Sequence, residues 1–242
     1  MTDAEFTAFF TRAAACGFDT FKIKLGHPDP ARDLHRLDLL RQTVGAKAGV
    51  MIDANEAWSA KEAAARLSLF HRAGHDLIWA EDPILRHDFD GLRALSTAAP
   101  WTQINSGEYL DVAGRARLLM ARATDVINVH GRITEVMHTG WLAAEIGIPV
   151  ALGNTTLELG VHPACALPEV EWLEYSFQNY DQLVDQPITI RDGYAHVSDR
   201  PGLGFALSDA ARTTWSAPEP LSDADLVTAP DCALFQNAPK AA

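Results

Sequence analysis

The chain of 242 residues is 48% hydrophobic, 21% charged and 8% aromatic, an ordinary globular composition with enough length for one sizeable core. Its formal net charge of −12 argues against nucleic acid or an anionic membrane as a partner, because phosphate binding needs a positive surface that displaces counterions. No apolar run reaches the ~18 residues of a membrane span, the first residues lack the basic start and apolar stretch of a signal peptide, and Cys16, Cys165 and Cys232 form no CxxC pair. A soluble protein of the reducing cytoplasm is expected, with a disulfide pair as the alternative.

The chain opens on Thr2-Asp3-Ala4-Glu5, a capping-box pattern, followed by Phe6, Phe9, Phe10 and Ala13 at helical spacing and closed by Gly17. Residues 18–25 form a β-like run, residues 31–44 a charged amphipathic stretch, and Val50-Met51-Ile52 an apolar run ending at Asp53. Further strands are expected at 77–81, 102–106, 125–129, 149–152 and 172–175, separated by helical periodicity such as residues 60–73 and 134–146. Residues 188–197 read as a short hairpin around Asp192-Gly193, and Pro201-Gly202-Leu203-Gly204 as a tight turn. Seven parallel strands alternating with helices predict a (β/α) barrel, the alternative being a doubly wound open sheet.

Polar residues at the C-terminal ends of the apolar runs sort these options. Lys24, Asp53, Glu81, Glu108, His130, Asn154 and Glu174 all sit there, and a barrel would gather them at one mouth whereas an open sheet would spread them along an edge. Asp53, Glu81 and Glu108 recur at about one βα unit, which predicts a site of three hard oxygen ligands suited to Mg²⁺, or to Mn²⁺, rather than Zn²⁺. Taken singly, each acid reads equally as a solvated loop residue. Lys22 and Lys24 lie two apart on one strand and face the same way. A second cation, a bound metal and partial burial favour a neutral amine, so Lys24 is a candidate base; the alternative is a solvated lysine pair on an edge strand.

The string Phe21-Lys22-Ile23-Lys24-Leu25-Gly26 resembles the Lys-x-Lys strand of the mandelate racemase and muconate lactonizing branch of the enolase superfamily. The resemblance continues in order through Met51-Ile52-Asp53-Ala54-Asn55, Trp79-Ala80-Glu81-Asp82-Pro83 and Ser106-Gly107-Glu108, which look like the three metal-ligand strands. Gly147-Ile148-Pro149, Ala166-Leu167-Pro168, Trp172-Leu173-Glu174 and Pro201-Gly202-Leu203-Gly204 look like the family's last units and closing turn, so the likeness covers about residues 5–210. It implies a TIM-like (β/α) barrel, Mg²⁺ at Asp53, Glu81 and Glu108, and removal of the proton alpha to a carboxylate through an enediolate. That chemistry, a Lys or His base working beside Mg²⁺, belongs to the superfamily as a whole and is implied for this chain by the resemblance alone. Asn55 would support the metal, while Asn154 and Glu174 would face substrate, Glu174 alternatively capping its strand.

Departures from the family pattern narrow the reaction. His130 stands where the family places an Asp or Lys, and Gly153 stands where racemase-like members carry a His, so the Asp–His dyad is missing. His130 is then the best acid/base group opposite Lys24, or else a structural histidine at a strand end. The other histidines show no ligand spacing. The expected activity is dehydration of a small carboxylate substrate, an acid sugar; an epimerase or cycloisomerase using Lys24 and His130, and a catalytically silent barrel, are the rivals. The resemblance also implies that the first barrel strand and the N-terminal capping domain are lacking, which leaves a strand edge that favours a homo-oligomer. Residues 1–210 are expected to form the partial catalytic barrel and residues 211–242 a flexible tail.

Overall fold

In a computed structural model of the protein, residues 1–153, 157–176 and 180–215 are described. The capping box is formed: the Thr2 hydroxyl accepts the Glu5 amide and the Glu5 carboxylate accepts the Thr2 amide, starting helix α1 (Asp3–Ala15). Strand β1 (Thr20–Lys24) is followed by α2 (Pro30–Val44), whose Asp29 cap and Pro30 at the first turn suit a helix start. The alternation then runs β2 (Gly49–Asp53), α3 (Ala60–Arg72), β3 (Trp79–Glu81), α4 (Phe89–Ala98), β4 (Gln103–Ser106), α5 (Val112–Met120), β5 (Val126–Val129), α6 (Ile133–Ile146), β6 (Val150–Leu152), α7 (Leu157–Ala166) and β7 (Val170–Leu173). Side chains of Ser59, Asp88 and Asp111 cap α3, α4 and α5.

The seven strands form one parallel sheet in sequence order, β1 to β7, in a curled, TIM-like arrangement whose two edge strands are β1 and β7. Strands β2 to β6 are buried almost throughout because helices cover one face and the sheet curls around the other. Two apolar clusters record the two faces. The larger joins Val50, Ile52 and Ile104 to helix residues such as Leu37, Leu40, Leu67 and Phe70, while the smaller contains Met51, Trp79, Val126 and Ala151 with Trp172 against them. Met51 lies between Val50 and Ile52 yet belongs to the other cluster, as the strand's period of two requires. Trp79 meets Trp172 edge-on at 5.5 Å, filling the inside beneath the strand ends.

The sequence-predicted elements are shifted only at their ends. β7 ends at Leu173, so Glu174 and Tyr175 follow the strand, and β1 starts at Thr20, after Phe18, whose ring stacks on Tyr175 at 5.0 Å. The hairpin is present as β8 (Thr189–Arg191) and β9 (Tyr194–His196), turning on Asp192 and Gly193 at φ 51° and 78°. Helix α8 (Asp209–Trp215) crosses the position where the tail is expected to begin; the rest of that stretch lies outside the described residues. Cys16 and Cys165 are free and exposed. Among the described residues no helix is long and apolar enough to cross a membrane.

The hairpin is locked to the main body at Gly17. The Gly193 amide donates to the Cys16 carbonyl, and a Cβ on Gly17 would lie 2.6 Å from the Gly193 nitrogen at a φ of +90°. Gly45 shares that φ (+91°) but faces open space. Gly17→Ala is therefore expected to lower stability by clearly more than Gly45→Ala, whose cost is the positive-φ backbone alone, ~1–3 kcal/mol. Urea unfolding of the two variants, compared at equal slope, measures the difference.

Candidate active site

The strand register sets the site. Lys24 pairs with Asp53 and Asp53 with Glu81 across β1, β2 and β3, so these three residues stand at one level where the strands end. Period-two alternation turns them to the same inner face as Lys22, Met51 and Trp79. β4 needs a further device. Asn105 is the residue level with Glu81, and strict alternation from it would send Glu108 to the helix side. Gly107, at φ +122°, breaks the alternation; a Cβ there would sit 2.8 Å from Ile127 Cδ1 and 2.9 Å from the Asn128 carbonyl oxygen. The turn brings Glu108 to the other acids. Carboxylate oxygens of Asp53, Glu81 and Glu108, one from each, lie within 4.8 Å of one another, and all three residues are buried.

Both lysines engage this cluster. Lys22 Nζ donates to Glu81 Oε1 and Oε2 at 2.8 and 2.6 Å and to Glu174 Oε2 at 3.1 Å, and Lys24 Nζ is paired with Asp53 Oδ2. Their environments differ from the partial burial expected of Lys24. Its side chain is 64% exposed against 16% for Lys22, because Lys24 ends an edge strand at the open mouth while Lys22 lies one layer deeper. Burial works against charge on Lys22, but Glu81 and Glu174 outweigh it and hold the ammonium above its ordinary range. Burial, reinforced by Asp53 and Glu174, pushes the Glu81 carboxyl up to about 8 despite Lys22. Asp82 is a fourth buried acid, pushed up to about 6 chiefly by burial, although its Oδ1 accepts the Ser106 hydroxyl at 2.5 Å.

This set of residues fits a divalent cation. Glu108 Oε2 is buried with no hydrogen-bond partner, as is Asp82 Oδ2, so negative charge remains that the two ammonium groups do not satisfy. The donors are all hard oxygens, with no thiol or imidazole among the clustered ligands, which suits Mg²⁺.

The remaining predicted residues fall around this centre in different ways. Asn55 holds Asp53 through its backbone amide, which donates to Oδ1 at 2.9 Å, while its side-chain amide turns to the Tyr109 hydroxyl at 3.4 Å. Glu174 sits across a cavity of about 530 Å³ lined also by Lys22, Glu81, Trp79 and Trp172. His130 is half-buried at the end of β5 and lines a separate cleft with Glu108, Tyr109, Arg115 and Glu135. Asn154 lies outside the described residues. Sequence reasoning missed Asp82, Glu56, Arg86, Tyr109 and Arg115. Only Asp82 carried a signal, its place between Glu81 and Pro83.

Residues 5–211 match the family model described as enolase C-terminal domain-like. The chain belongs to this family. Its solved relatives include a candidate mandelate racemase from Mesorhizobium loti, 60% identical with a TM-score of 0.87 over 93% of this chain and 61% of that one. The L-talarate dehydratase of Polaromonas sp. JS666, solved with Mg and L-glucarate, is 30% identical with a TM-score of 0.79 over 88% of this chain and 60% of that one. The L-talarate/galactarate dehydratase of Salmonella typhimurium is 33% identical over 201 residues, 81% of this chain and 49% of the relative. Cycloisomerases and epimerases of the superfamily are also among the relatives. The chain spans about half the length of the curated relatives it matches.

The raised Glu81 carboxyl has a sign that can be checked. An acid whose folded-state value lies above its ordinary 4.5 favours the folded protein while protonated, and this contribution is lost as pH rises from 4.5 through about 8. Glu81→Gln removes the charge, so in metal-free buffer the variant's melting temperature should climb relative to wild type across that window. A difference that is flat with pH would place the excess charge elsewhere.

Proposed function

We propose that the chain is the catalytic barrel of a Mg²⁺-dependent enzyme that removes the proton alpha to a carboxylate, with an acid sugar as substrate and dehydration as the outcome. The observation that carries this reading is the meeting of Asp53, Glu81 and Glu108 with Lys22 and Lys24 at the ends of four adjacent strands. Relatives with dehydratase activity, and one solved with Mg and L-glucarate, support the substrate class. The catalytic unit is assigned to residues 1–210.

Asp53, Glu81 and Glu108 would hold the cation, which supplies positive charge to the carboxylate end of the substrate as the alpha proton leaves. Lys22, half-buried and held charged by Glu81 and Glu174, stays an ammonium and adds a fixed positive charge beside the same end. Lys24 is the base. It stands at the mouth, level with Asp53 and on the same strand face as Lys22, where a substrate carboxylate held by the cation would bring its alpha carbon near. Met51, Trp79 and Trp172 give the cavity beneath the charged groups an apolar lining.

Elimination fits this one-sided arrangement better than proton transfer between two faces. Both lysines project from β1, and Gly153 offers no acid/base group at the end of β6. His130 is assigned the acid that assists departure of the beta hydroxyl, from its cleft beside Glu108.

Incubation with a panel of acid sugars in D₂O, followed by mass spectrometry, tests the reading. Wild type with Mg²⁺ should exchange the alpha proton and release product lighter by one water. Lys24→Ala should abolish exchange, and Lys22→Ala should lower it at least ~100-fold through lost positioning and charge. Unchanged exchange in the Lys24 variant would move the base elsewhere, and exchange without loss of water would assign an epimerase.

A further inference from the structure

The three loops that follow β2, β3 and β4, next to the acids, are tied together on the outside of the site by a group of side chains centred on Arg86. Glu56 follows Asp53 in the loop after β2, Arg86 follows Glu81 in the loop after β3, and Tyr109 follows Glu108 in the loop after β4. Arg86 grips Glu56 with both arms of its guanidinium, Nε to Oε1 and NH2 to Oε2, each at 2.5 Å, and its backbone amide donates to the same Oε1 at 2.8 Å. On its other side Arg86 NH1 donates to the Tyr109 carbonyl at 3.3 Å, and the guanidinium lies 4.6 Å over the Tyr109 ring. The Tyr109 hydroxyl in turn accepts from the Asn55 side-chain amide at 3.4 Å, and Tyr109 directly follows Glu108 in the chain. The ring of contacts therefore closes from loop to loop.

The loop after β2 has reason to be held. Asn55 and Glu56 both lie in left-handed backbone, at φ 45° and 62°, a costly conformation for residues with a Cβ. The neighbouring loops hydrogen-bond backbone to backbone as well, Ala54 to Glu81, Glu56 to Asp82 and Asp82 to Asn105, so a shift of one is passed to the next.

We propose that Arg86, with Glu56 and Tyr109, is a positioning clasp that presets the spacing of Asp53, Glu81 and Glu108 for a divalent cation. The inference rests on reading those acids as a cation site. Mg²⁺ demands near-octahedral geometry and tolerates little displacement of its ligands, whereas a partly exposed ion pair contributes little to global stability. The clasp should therefore show in cation affinity far more than in folding. Substitutions in the partners that orient metal ligands cost ~10- to 100-fold in affinity.

The test is calorimetric titration of the full chain with MgCl₂, alongside metal-free melting curves. Arg86→Met should weaken Mg²⁺ binding ~10-fold or more while the metal-free melting temperature stays within a few degrees of wild type. Arg86→Lys, which keeps the charge and loses the fork, should recover part of the affinity, and Arg86→Met with Glu56→Gln should bind no more weakly than the worse single variant, because the clasp acts as one unit. Should Arg86→Met fail to fold, Glu56→Gln is read by the same criteria. Wild type binding Mg²⁺ while Arg86→Met and Glu56→Gln bind within twofold of it overturns the clasp alone. Wild type that binds no Mg²⁺ overturns the cation reading and the clasp together.

Discussion

Three carboxylates buried within 4.8 Å of one another are the constraint around which this protein is built. Like charges at that separation repel strongly where water is excluded, and each also loses its hydration. The fold supplies partial compensation from every side: Lys22 on Glu81, Lys24 on Asp53, and the Asn55 amide on the other oxygen of Asp53. Compensation stops short of neutrality. The buried Glu108 oxygen without a partner and the high protonation tendency of Glu81 and Asp82 mark the remaining deficit of positive charge. A site left in that condition by a fold able to bury salt bridges elsewhere, such as Arg66 with Asp33, fits a positive charge supplied from outside the chain.

The parallel barrel topology makes the cluster attainable. In an open sheet the ends of β1 to β4 would lie in a row, with each strand adding nearly 5 Å to the distance between the first and the last. Curling shortens those paths, and long side chains do the rest, so Lys22 reaches past its own layer to bind Glu81 two strands away. Beneath them Trp79 and Trp172 line the inner face with rigid apolar rings that meet edge-on.

Much of this was legible in the sequence for a definable reason. Strands and the acids that end them are local features: apolar runs fix the strand, and the residue at its C-terminal end falls at the mouth whatever happens elsewhere. Asp53 and Glu81 could thus be assigned from spacing alone. Glu108 was assigned from the same spacing, yet its arrival at the site depends on the left-handed Gly107, which strand periodicity does not describe. The exposure of Lys24 was misjudged because burial at a strand end depends on whether a neighbour covers that edge, a property of the tertiary fold. The Arg86 grouping was invisible for a similar reason. Its members come from three loops, and nothing in the string around Arg86 distinguishes it from a solvated surface arginine until Glu56 and Tyr109 are brought beside it.

The division of cations between the inside and the outside of the site follows from their chemistry. Arginine keeps its charge at any working pH and holds a carboxylate with two parallel bonds, so it suits a permanent tie. Arg86 on Glu56 is such a tie, and so is Arg115, whose buried guanidinium binds the Gly107 and Glu108 carbonyls at 3.0 Å and fixes the backbone of the third acid. Lysine is a compact, mobile charge on a flexible stem that makes and breaks single contacts, and its amine can give up a proton. The two lysines stand on the carboxylate oxygens themselves, where a cation at the proposed site would compete with them and a group able to change partners would be needed. Exchanging the types would reverse both functions. A guanidinium on Asp53 would hold that oxygen against a metal and could not act as a base, while an ammonium at position 86 would replace the side-chain fork on Glu56 by a single contact. In the proposed reaction the placement of each cation therefore separates what stays fixed from what moves.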